Sequence, residues 1–206
     1  GKTSLLESIY ILSTGKSFKS KQNERIIKNT HPNFNIFAEY AVDNFNNSIG
    51  IQKNIDGTRK IQINNSKPAS IIQLAKIMPT QIITTDSYKI FHDGPKARRQ
   101  FIDKGLFHVD PSFMGHWRTY QKALKQRNTA IRMKLRKSEI STWDPTLTSE
   151  GIKVSKLRES YIHSLEPLIN KLSTELLKDI PKISIRLDSG WEKNESFEDI
   201  LARNIY

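Results

Sequence analysis

The first residues of the sequence are of the types that hold nucleotide phosphates. Gly1, Lys2 and Thr3 match the last three positions of the phosphate loop G-x-x-x-x-G-K-[ST], and an apolar helical pattern follows them directly. In a complete loop the Lys contacts the β- and γ-phosphates, the Thr hydroxyl binds Mg²⁺, and the helix directs its positive end at the ligand. These residues are therefore candidate phosphate ligands, with Thr3 the candidate for Mg²⁺.

The same tripeptide pattern occurs a second time, at Gly15, Lys16 and Ser17. This copy follows a predicted helix instead of a strand, and Tyr10 stands where the first Gly of the loop belongs. We therefore interpret the second copy as a chance match. When only the local residues are considered, the first copy is open to the same interpretation.

A second group of residues could bind a polyanion. The chain has a formal net charge of +12, and the segment from Phe113 to Ser138 contains eight Lys or Arg residues and no Asp or Glu. Five of these cations fall within about 80° of one another on a helix: Arg118, Lys122, Lys125, Arg132 and Arg136. Such a row could neutralise phosphates along DNA. The alternative is a solvated outer helix face, although a face selected for solubility usually mixes both signs.

The elements that position these residues follow from the apolar pattern. Residues 4–14 predict a helix that a glycine ends. Residues 33–42 alternate as a strand, and the Asp-Gly pair at 56–57 predicts the turn of a hairpin. A short helix at 69–77 and a short core strand in TQIITTD (80–86) complete a β-rich region.

From residue 111 onward the pattern changes to long helices. One narrow apolar stripe comprises Phe113, Trp117, Tyr120, Leu124, Ile131 and Leu135, and a second comprises Val154, Leu157, Tyr161, Leu165, Leu168, Leu172 and Leu176. A loop in STWDPTLTSE (141–150) between them predicts an antiparallel helical hairpin. Residues 182–191 then alternate like a strand. The sequence thus predicts a mixed α/β head lobe over 1–112, a helical arm over 113–180, and the start of a returning strand region over 181–206.

The remaining polar and charged residues give weaker indications of a binding or metal site. Arg98 and Arg99 follow a Gly-Pro helix start, where they either contact a phosphate or another subunit, or pair with Asp103. Four histidines lack metal-ligand spacing and are interpreted as structural: His92, His108, His116 and His163. The chain has no Cys, which excludes disulfides and a Cys-based zinc site. It shows no signal peptide and no apolar run of membrane-spanning length, and we expect a cytoplasmic protein.

Several segments together resemble the RecF family of bacterial DNA replication and repair proteins. They are GKTSLLESIYILSTGKSF and then, in the order found in the family, PTQIITTD, DGPKARRQFID, GLFHVDPSF and WRTYQKALKQRN. The resemblance covers nearly the whole chain, and Lys104 departs from it because many relatives resemble FIDWG there. It implies a mixed α/β fold: an incomplete ABC/SMC-type P-loop ATPase head with an inserted helical arm, as an internal fragment of a longer protein.

The resemblance also implies a function. Members of the family bind double-stranded DNA near single-strand gaps in an ATP-dependent manner, dimerise around ATP, and help the RecR and RecO mediators load the RecA recombinase. The implied cofactors are ATP and Mg²⁺, with nucleotide contacts at Gly1, Lys2, Thr3 and Ser4, the Mg²⁺ contact at Thr3, and Gln81 as a candidate Mg²⁺-sensing residue. We expect weak DNA-dependent ATPase activity of the whole protein and none of this chain alone.

Two other functions are compatible with the residues themselves. One is a non-enzymatic basic DNA-binding or scaffold module whose opening tripeptide is accidental. The other is an unrelated P-loop NTPase, such as a small-molecule kinase. An apolar strand and a G-x-x-x-x segment before Gly1 would favour the ATPase over both.

Overall fold

The computed structural model describes residues 1–20, 22, 25–42, 45–68, 70–177, 181–188 and 195–204, which form two compact units. The first unit, residues 1–87, contains α1 (Lys2–Thr14), β1 (Asn33–Val42), β2 (Phe45–Asn54), β3 (Arg59–Ile63) and α2 (Ile72–Ile77). The second unit, residues 88–206, contains α3 (Lys89–His92), α4 (Gly94–Val109), α5 (Phe113–Arg132), α6 (Lys137–Ile140), α7 (Asp144–Leu176) and α8 (Phe197–Arg203). No helix in these described ranges is long and apolar enough to cross a membrane.

The sheet of the first unit is antiparallel, with the strand order β1-β2-β3. Ile36 lies opposite Ile51, and Ile51 lies opposite Ile61, so one face of the sheet carries the apolar side chains. The Asp56 carboxylate accepts hydrogen bonds from the Thr58 backbone N–H (2.8 Å) and hydroxyl (2.6 Å), which fixes the turn between β2 and β3. The predicted strand and the predicted hairpin are both confirmed.

Helices α1 and α2 cover the apolar face of this sheet. Their buried residues join those of β2 in one hydrophobic cluster: Ile11, Leu12, Ile49, Ile51 and Leu74. Alternating side chains of β1 pack against the cluster, as the sequence predicts: Phe34, Ile36, Ala38 and Tyr40. The sheet therefore holds α1 in place through its C-terminal half.

The second GKS segment ends α1. Gly15 has a φ of 67°, a conformation that favours glycine, and a Cβ atom there would also displace the end of the Ile71 side chain. The Ser17 hydroxyl donates a hydrogen bond to the Glu7 carboxylate. These contacts give the segment a structural role, in agreement with its interpretation as a chance match to the phosphate loop.

Helices α5 and α7 form the predicted antiparallel hairpin. His116 of α5 pairs with Glu150 of α7, and Arg127, three turns further along α5, pairs with the earlier residue Asp144. Because the residue number rises along α5 while the number of its partner in α7 falls, the two helices are antiparallel. The apolar stripe of α5 packs in this seam, with Phe113 almost fully buried.

The predicted loop over residues 141–150 is wrong. The chain reverses earlier, where Lys134 takes a positive φ of 53°, and α6 and a 3₁₀ turn (Ser141–Trp143) lead into α7, which begins at Asp144. Pro145 lies in the first turn of α7, where its missing N–H and fixed φ are compatible with a helix. The proline therefore marks a helix start in this chain and not a loop.

Two arginines connect the hairpin to the helices around it. Arg158 of α7 donates two hydrogen bonds to Asp103 of α4 (2.7 and 2.8 Å), and the Trp117 indole N–H donates to the same carboxylate (3.1 Å). Arg127 donates to Asp144 (2.7 Å) and to the backbone carbonyl of Leu201 in α8 (2.5 Å). The second unit thus combines α4, the hairpin and α8 through buried or half-buried polar contacts.

The predicted returning strand is not formed by the described residues 181–188. This segment runs beside α7, where the Asn170 amide accepts from the Ile183 N–H (2.8 Å) and donates to the Ile183 carbonyl (2.9 Å). Glu166 accepts from the Ile185 N–H (3.1 Å). Helix side chains therefore satisfy backbone groups that a neighbouring strand would otherwise bond. The rest of the predicted strand, residues 189–191, lies outside the described residues.

The predicted core strand in residues 80–86 is also absent. Residues 80–84 are irregular, Ile83 is 85% exposed, and a 3₁₀ turn begins at Thr85. A strand requires a neighbour to bond its backbone, and the sheet of the described residues consists of β1, β2 and β3. Within this chain residues 88–112 belong to the helical unit; the head lobe over 1–112 concerns the longer protein and stays a prediction.

Candidate functional site

The N-terminus of α1 presents the candidate nucleotide ligands. Gly1 is the N-cap residue, and Lys2, Thr3 and Ser4 lie exposed in the first turn. The Gly1 carbonyl accepts from the N–H groups of Ser4 (3.1 Å) and Leu5 (3.3 Å), so the two preceding amides have no intrahelical acceptor. The first turn contains no acidic residue. The helix end therefore combines unpaired N–H donors, a positive dipole end and a lysine, which suits a phosphate.

The side chains at this helix end fit ATP and Mg²⁺ in their chemistry. Within the described ranges, the Lys2 ammonium and the Thr3 hydroxyl form no hydrogen bond or ion pair with the protein. An ammonium suits the β- and γ-phosphates, and a hydroxyl oxygen is a hard ligand that suits Mg²⁺. The ATP and Mg²⁺ contacts at Gly1, Lys2, Thr3 and Ser4 stay predictions.

Gln81 lies in the irregular segment after α2. Its side chain is exposed, and its amide donates a hydrogen bond to the Ile82 carbonyl (3.3 Å). In the part of the chain that the structure describes, no group of three His, Asp or Glu side chains is arranged to hold a metal ion. The Mg²⁺-sensing role of Gln81 stays a prediction.

Four of the five predicted DNA-binding cations form an exposed row on α5: Arg118, Lys122, Lys125 and Arg132. Helix α5 contains no Asp or Glu. The Arg132 guanidinium donates to the Asn128 carbonyl (3.3 Å) and the Thr129 hydroxyl (3.1 Å), which leaves further N–H donors available. The row therefore presents cations without a neutralising carboxylate on the same helix.

Arg136, the fifth predicted member of the row, lies on a different element. Helix α5 ends at Arg132, and Arg136 is the N-cap residue of α6, where its backbone N–H donates to Glu139 (2.9 Å). The prediction that one helix carries all five cations is therefore wrong, because the positive φ of Lys134 ends the helical path. Arg136 remains exposed.

Arg127 is a buried structural arginine that the sequence pattern did not single out. It is 4% exposed and pairs with Asp144. Arg127 lies between Leu124 and Ile131 in the sequence. Around the helix axis it points about 60° away from the centre of the apolar stripe, which places it on the buried side. The sequence does contain a signal for this residue: a cation on the apolar side of an amphipathic helix predicts a buried ion pair, because a buried charge requires a partner.

The structure distinguishes between the two alternatives for Arg98 and Arg99. Asp103, the proposed buried partner, is bonded to Arg158 instead. Both arginines are exposed on α4, and neither forms an ion pair with the described residues. A core pairing with Asp103 is therefore wrong, whereas a phosphate or subunit contact stays a prediction.

The loop after α1 contains three lysines that form an alternative surface for DNA: Lys16, Lys19 and Lys21. Lys16 is exposed, and Lys19 forms an ion pair with Glu7 (3.5 Å). Lys21, the third lysine of this surface, lies outside the described residues. The pairing with Glu7 offsets part of the positive charge of this loop, which favours the row on α5 for a polyanion.

Comparisons with known proteins agree over the whole chain. The chain is 38% identical over 207 residues to the DNA replication and repair protein RecF of Pseudoalteromonas translucida, covering 99% of this chain and 57% of the relative. It is 35% identical over 209 residues to the RecF protein of Vibrio cholerae serotype O1 (99% and 57%) and 34% identical over 201 residues to that of Shewanella baltica (98% and 56%). The chain thus spans somewhat more than half the length of these relatives. No family model matches the chain.

Solved structures give the same fold. The chain superposes with a TM-score of 0.80 and 24% identity on a structure described as the recombination mediator protein RecF-ATP in the RecFOR pathway, covering 100% of this chain and 56% of that one. The corresponding RecF-ATPrS structure gives a TM-score of 0.80 at 23% identity, covering 98% and 56%. The mixed α/β fold with a helical arm is therefore confirmed.

Proposed function

Because the chain belongs to the RecF family of DNA replication and repair proteins, we propose that it is part of an ATP-dependent DNA-binding protein of recombinational repair and replication. The observation that carries this proposal is the similarity at 34–38% identity over 98–99% of the chain. The proposal includes double-stranded DNA near single-strand gaps as the ligand, and the RecR and RecO mediators as partners in loading RecA.

ATP is proposed to bind at the N-terminus of α1. Lys2 would bind the β- and γ-phosphates, Thr3 would bind Mg²⁺, and those backbone N–H groups of the segment from Gly1 to Ser4 that the helix leaves unpaired would contact phosphate oxygens. When bound there, ATP with Mg²⁺ would supply the negative charge of the γ-phosphate, on which dimerisation is proposed to depend, and hydrolysis to ADP and phosphate would take that charge away from the nucleotide. The exposed Lys2 and Thr3 side chains and the absence of acid from the first turn of α1 support this assignment.

DNA is proposed to bind along α5. Each phosphate that a cation neutralises releases about one counterion, so affinity falls with salt in proportion to the number of contacts. The row on α5 offers four such cations, and Arg136 beyond the helix end offers a fifth. Their exposure and the absence of a carboxylate from α5 support this part of the proposal.

The ATP contact can be tested by Lys2→Arg in a full-length protein that contains this chain. Arg keeps the charge, but its planar fork does not fit a cradle for a compact ammonium, so ATP-induced dimerisation and DNA binding should weaken together. Light scattering with and without ATP measures the dimer, and Lys28→Arg is the matched control because Lys28 is exposed and lies outside the phosphate-loop tripeptide. An unaltered ATP-induced dimer in Lys2→Arg would reject Lys2 as the switch residue.

The DNA contact can be tested by the salt dependence of duplex binding. Lys125→Gln with Arg132→Gln should flatten the plot of log affinity against log salt by about two units, without changing preference among sequences. The comparison variant is Lys16→Gln with Lys19→Gln in the loop after α1. If only the loop variant changes the slope, DNA lies on the first unit and not on α5.

A further inference from the structure

A trough runs along α5 between its buried seam and its row of cations. Its volume is about 720 Å³, and it is lined by Gln121, Leu124, Lys125, Asn128, Ile131 and Arg132. Leu124 and Ile131 are half-buried and already contact the hydrophobic clusters of the hairpin with their inner sides. Their outer sides form an apolar strip along the trough.

Three chemically different rows run parallel along this surface, and each repeats every seven residues. The apolar row is Trp117, Leu124 and Ile131; the amide row is Gln121 and Asn128; the cationic row is Arg118, Lys125 and Arg132. Seven residues correspond to about 10.5 Å along a helix axis. One apolar side chain per heptad, with amides and cations beside it, gives a narrow apolar strip along a positively charged edge rather than the a and d seam of a full coiled coil.

The polar groups of the trough are available to a partner. In the described ranges, the side-chain amides of Gln121 and Asn128 form no hydrogen bond, and the Lys125 ammonium forms no ion pair. Arg132 uses two of its five N–H donors within α5. An occupant with carboxylates beside an apolar stripe would satisfy the cations and cover the apolar strip at once.

We infer that the trough binds an acidic amphipathic helix of a partner protein. An acidic amphipathic helix would place carboxylates opposite Lys125 and Arg132 and apolar side chains on the strip, whereas double-stranded DNA carries one charge per about 1.7 Å of its axis and offers no apolar stripe to Leu124 and Ile131. This inference goes beyond the proposed function and does not rest on it. Because Lys125 and Arg132 belong to both surfaces, a bound helix and DNA would exclude each other on α5.

A synthetic peptide tests this inference directly on the chain of residues 1–206. The probe is a fluorescent helix of about three heptads with Leu at the a and d positions and Glu at the flanking positions. We expect saturable binding in fluorescence anisotropy and a gain of helical circular dichroism. A peptide of the same composition with the Leu positions scrambled should bind at least about tenfold more weakly, because it cannot cover the apolar strip.

Two variants of equal charge separate the trough from general attraction to a basic protein. Gln121→Glu with Asn128→Glu places two negative charges in the trough and should weaken peptide binding by about tenfold or more. Lys122→Glu changes the net charge by the same amount on the same helix, but about 120° away from the middle of the trough, and should have a smaller effect. Gln121→Lys with Asn128→Lys should strengthen binding, a result that misfolding cannot produce.

Three outcomes would overturn the inference. Equal loss in the trough variant and in Lys122→Glu indicates attraction by net charge alone. Equal binding of the scrambled peptide removes the apolar strip from recognition. The third outcome has two parts: the peptide never reaches saturation, and the Gln121→Glu, Asn128→Glu variant loses binding to a short DNA duplex. Together these results would assign the trough to DNA. The last result would leave the proposed function intact, so the two proposals fail separately.

Discussion

Beneath the sheet of the first unit, the buried cluster of β2 with α1 and α2 is apolar, whereas the helices of the second unit enclose two arginine–carboxylate pairs. Arg127 and Asp144 are 5% and 15% exposed in their side chains, and Arg158 and Asp103 are 14% and 17% exposed. Both units use apolar burial as the main driving force. The difference lies in what selects one arrangement of the packed elements.

Strand pairing and helix pairing differ in how strongly the backbone fixes the register. In the sheet, a shift by one residue would move Ile49 and Ile51 to the opposite face, so the apolar pattern itself excludes it. In the hairpin, an apolar stripe that repeats every three or four residues matches its partner again after a shift of one heptad. A buried ion pair such as Arg127 with Asp144 is satisfied in only one register, and we hypothesise that these pairs align the hairpin.

The largest expected effect comes from Asp144→Ala, because it leaves the Arg127 guanidinium buried without its carboxylate. We expect a loss of about 3–5 kcal/mol in the free energy of unfolding of the second unit. Tryptophan fluorescence in a urea titration measures this unit alone, because Trp117, Trp143 and Trp191 all belong to residues 88–206.

An apolar double variant tests whether the ion pair sets the register of the hairpin. Arg127→Met with Asp144→Leu replaces the pair by apolar side chains of similar size, so most of the lost stability should return. If the pair sets the register, hydrogen exchange along α5 and α7 should become less uniform in the rescued protein, although it is stable. A loss below about 1 kcal/mol in Asp144→Ala would contradict the role of the pair.

The second effect in size concerns the apolar core of the first unit. Leu74 is fully buried against α1 and β2, so Leu74→Ala removes apolar burial and leaves a cavity, at a cost of about 2–4 kcal/mol. Faster hydrogen exchange in α1 and β2 should report the loss, while the tryptophan transition stays unchanged. A shift of the tryptophan transition by a similar amount would show that the two units unfold together.

The smallest effect concerns Glu150, whose carboxylate bonds Lys153 (2.8 Å) and His116 (2.7 Å). The hydrogen bond from Lys153, with a further one from His116, lowers the pKa of Glu150 against the opposing effect of burial. Its contribution to stability is therefore present above the ordinary pKa of a glutamate and is lost as the pH falls through the lowered value. Glu150→Gln should cost about 0.5–1 kcal/mol near pH 7.

The pH dependence separates charge from packing at this site. The stability difference between the wild type and Glu150→Gln should shrink as the pH falls from about 4.5, the ordinary pKa of a glutamate, through the lowered pKa of Glu150, below which the wild-type carboxylate is protonated as well. Urea titrations at neutral and acidic pH, followed by tryptophan fluorescence, measure it. A difference that stays constant with pH would assign the effect of the variant to packing.

Apolar surface outside the two cores marks a further contrast. On α1, Leu5 and Leu6 are 65% and 61% exposed, and on the distal half of α7, Leu172 and Leu176 are 55% and 77% exposed. Both sets continue stripes whose other halves are buried in this chain. The sequence predicts the stripes correctly, but periodicity alone does not say which turns of a helix have a neighbour.

Local signals of the sequence determined the elements whose partners are close in the chain. The alternation of β1, the Asp56–Gly57 turn and the apolar stripe of α5 each specify a structure that sequence neighbours complete. The phosphate-loop tripeptide and the row of cations on α5 were equally visible, because a helical period places residues on a face without any tertiary information.

Tertiary structure decided every feature that depends on a distant partner. Residues 181–188 alternate like a strand, yet Asn170 and Glu166 bond their backbone, and residues 80–84 have no neighbouring strand in the described sheet. Whether Asp103 pairs with Arg99 or with Arg158 likewise depended on how α4 packs against α7. The physical reason is that periodicity fixes which side of an element is apolar, whereas backbone pairing and the desolvation of charges depend on the atoms that folding brings opposite.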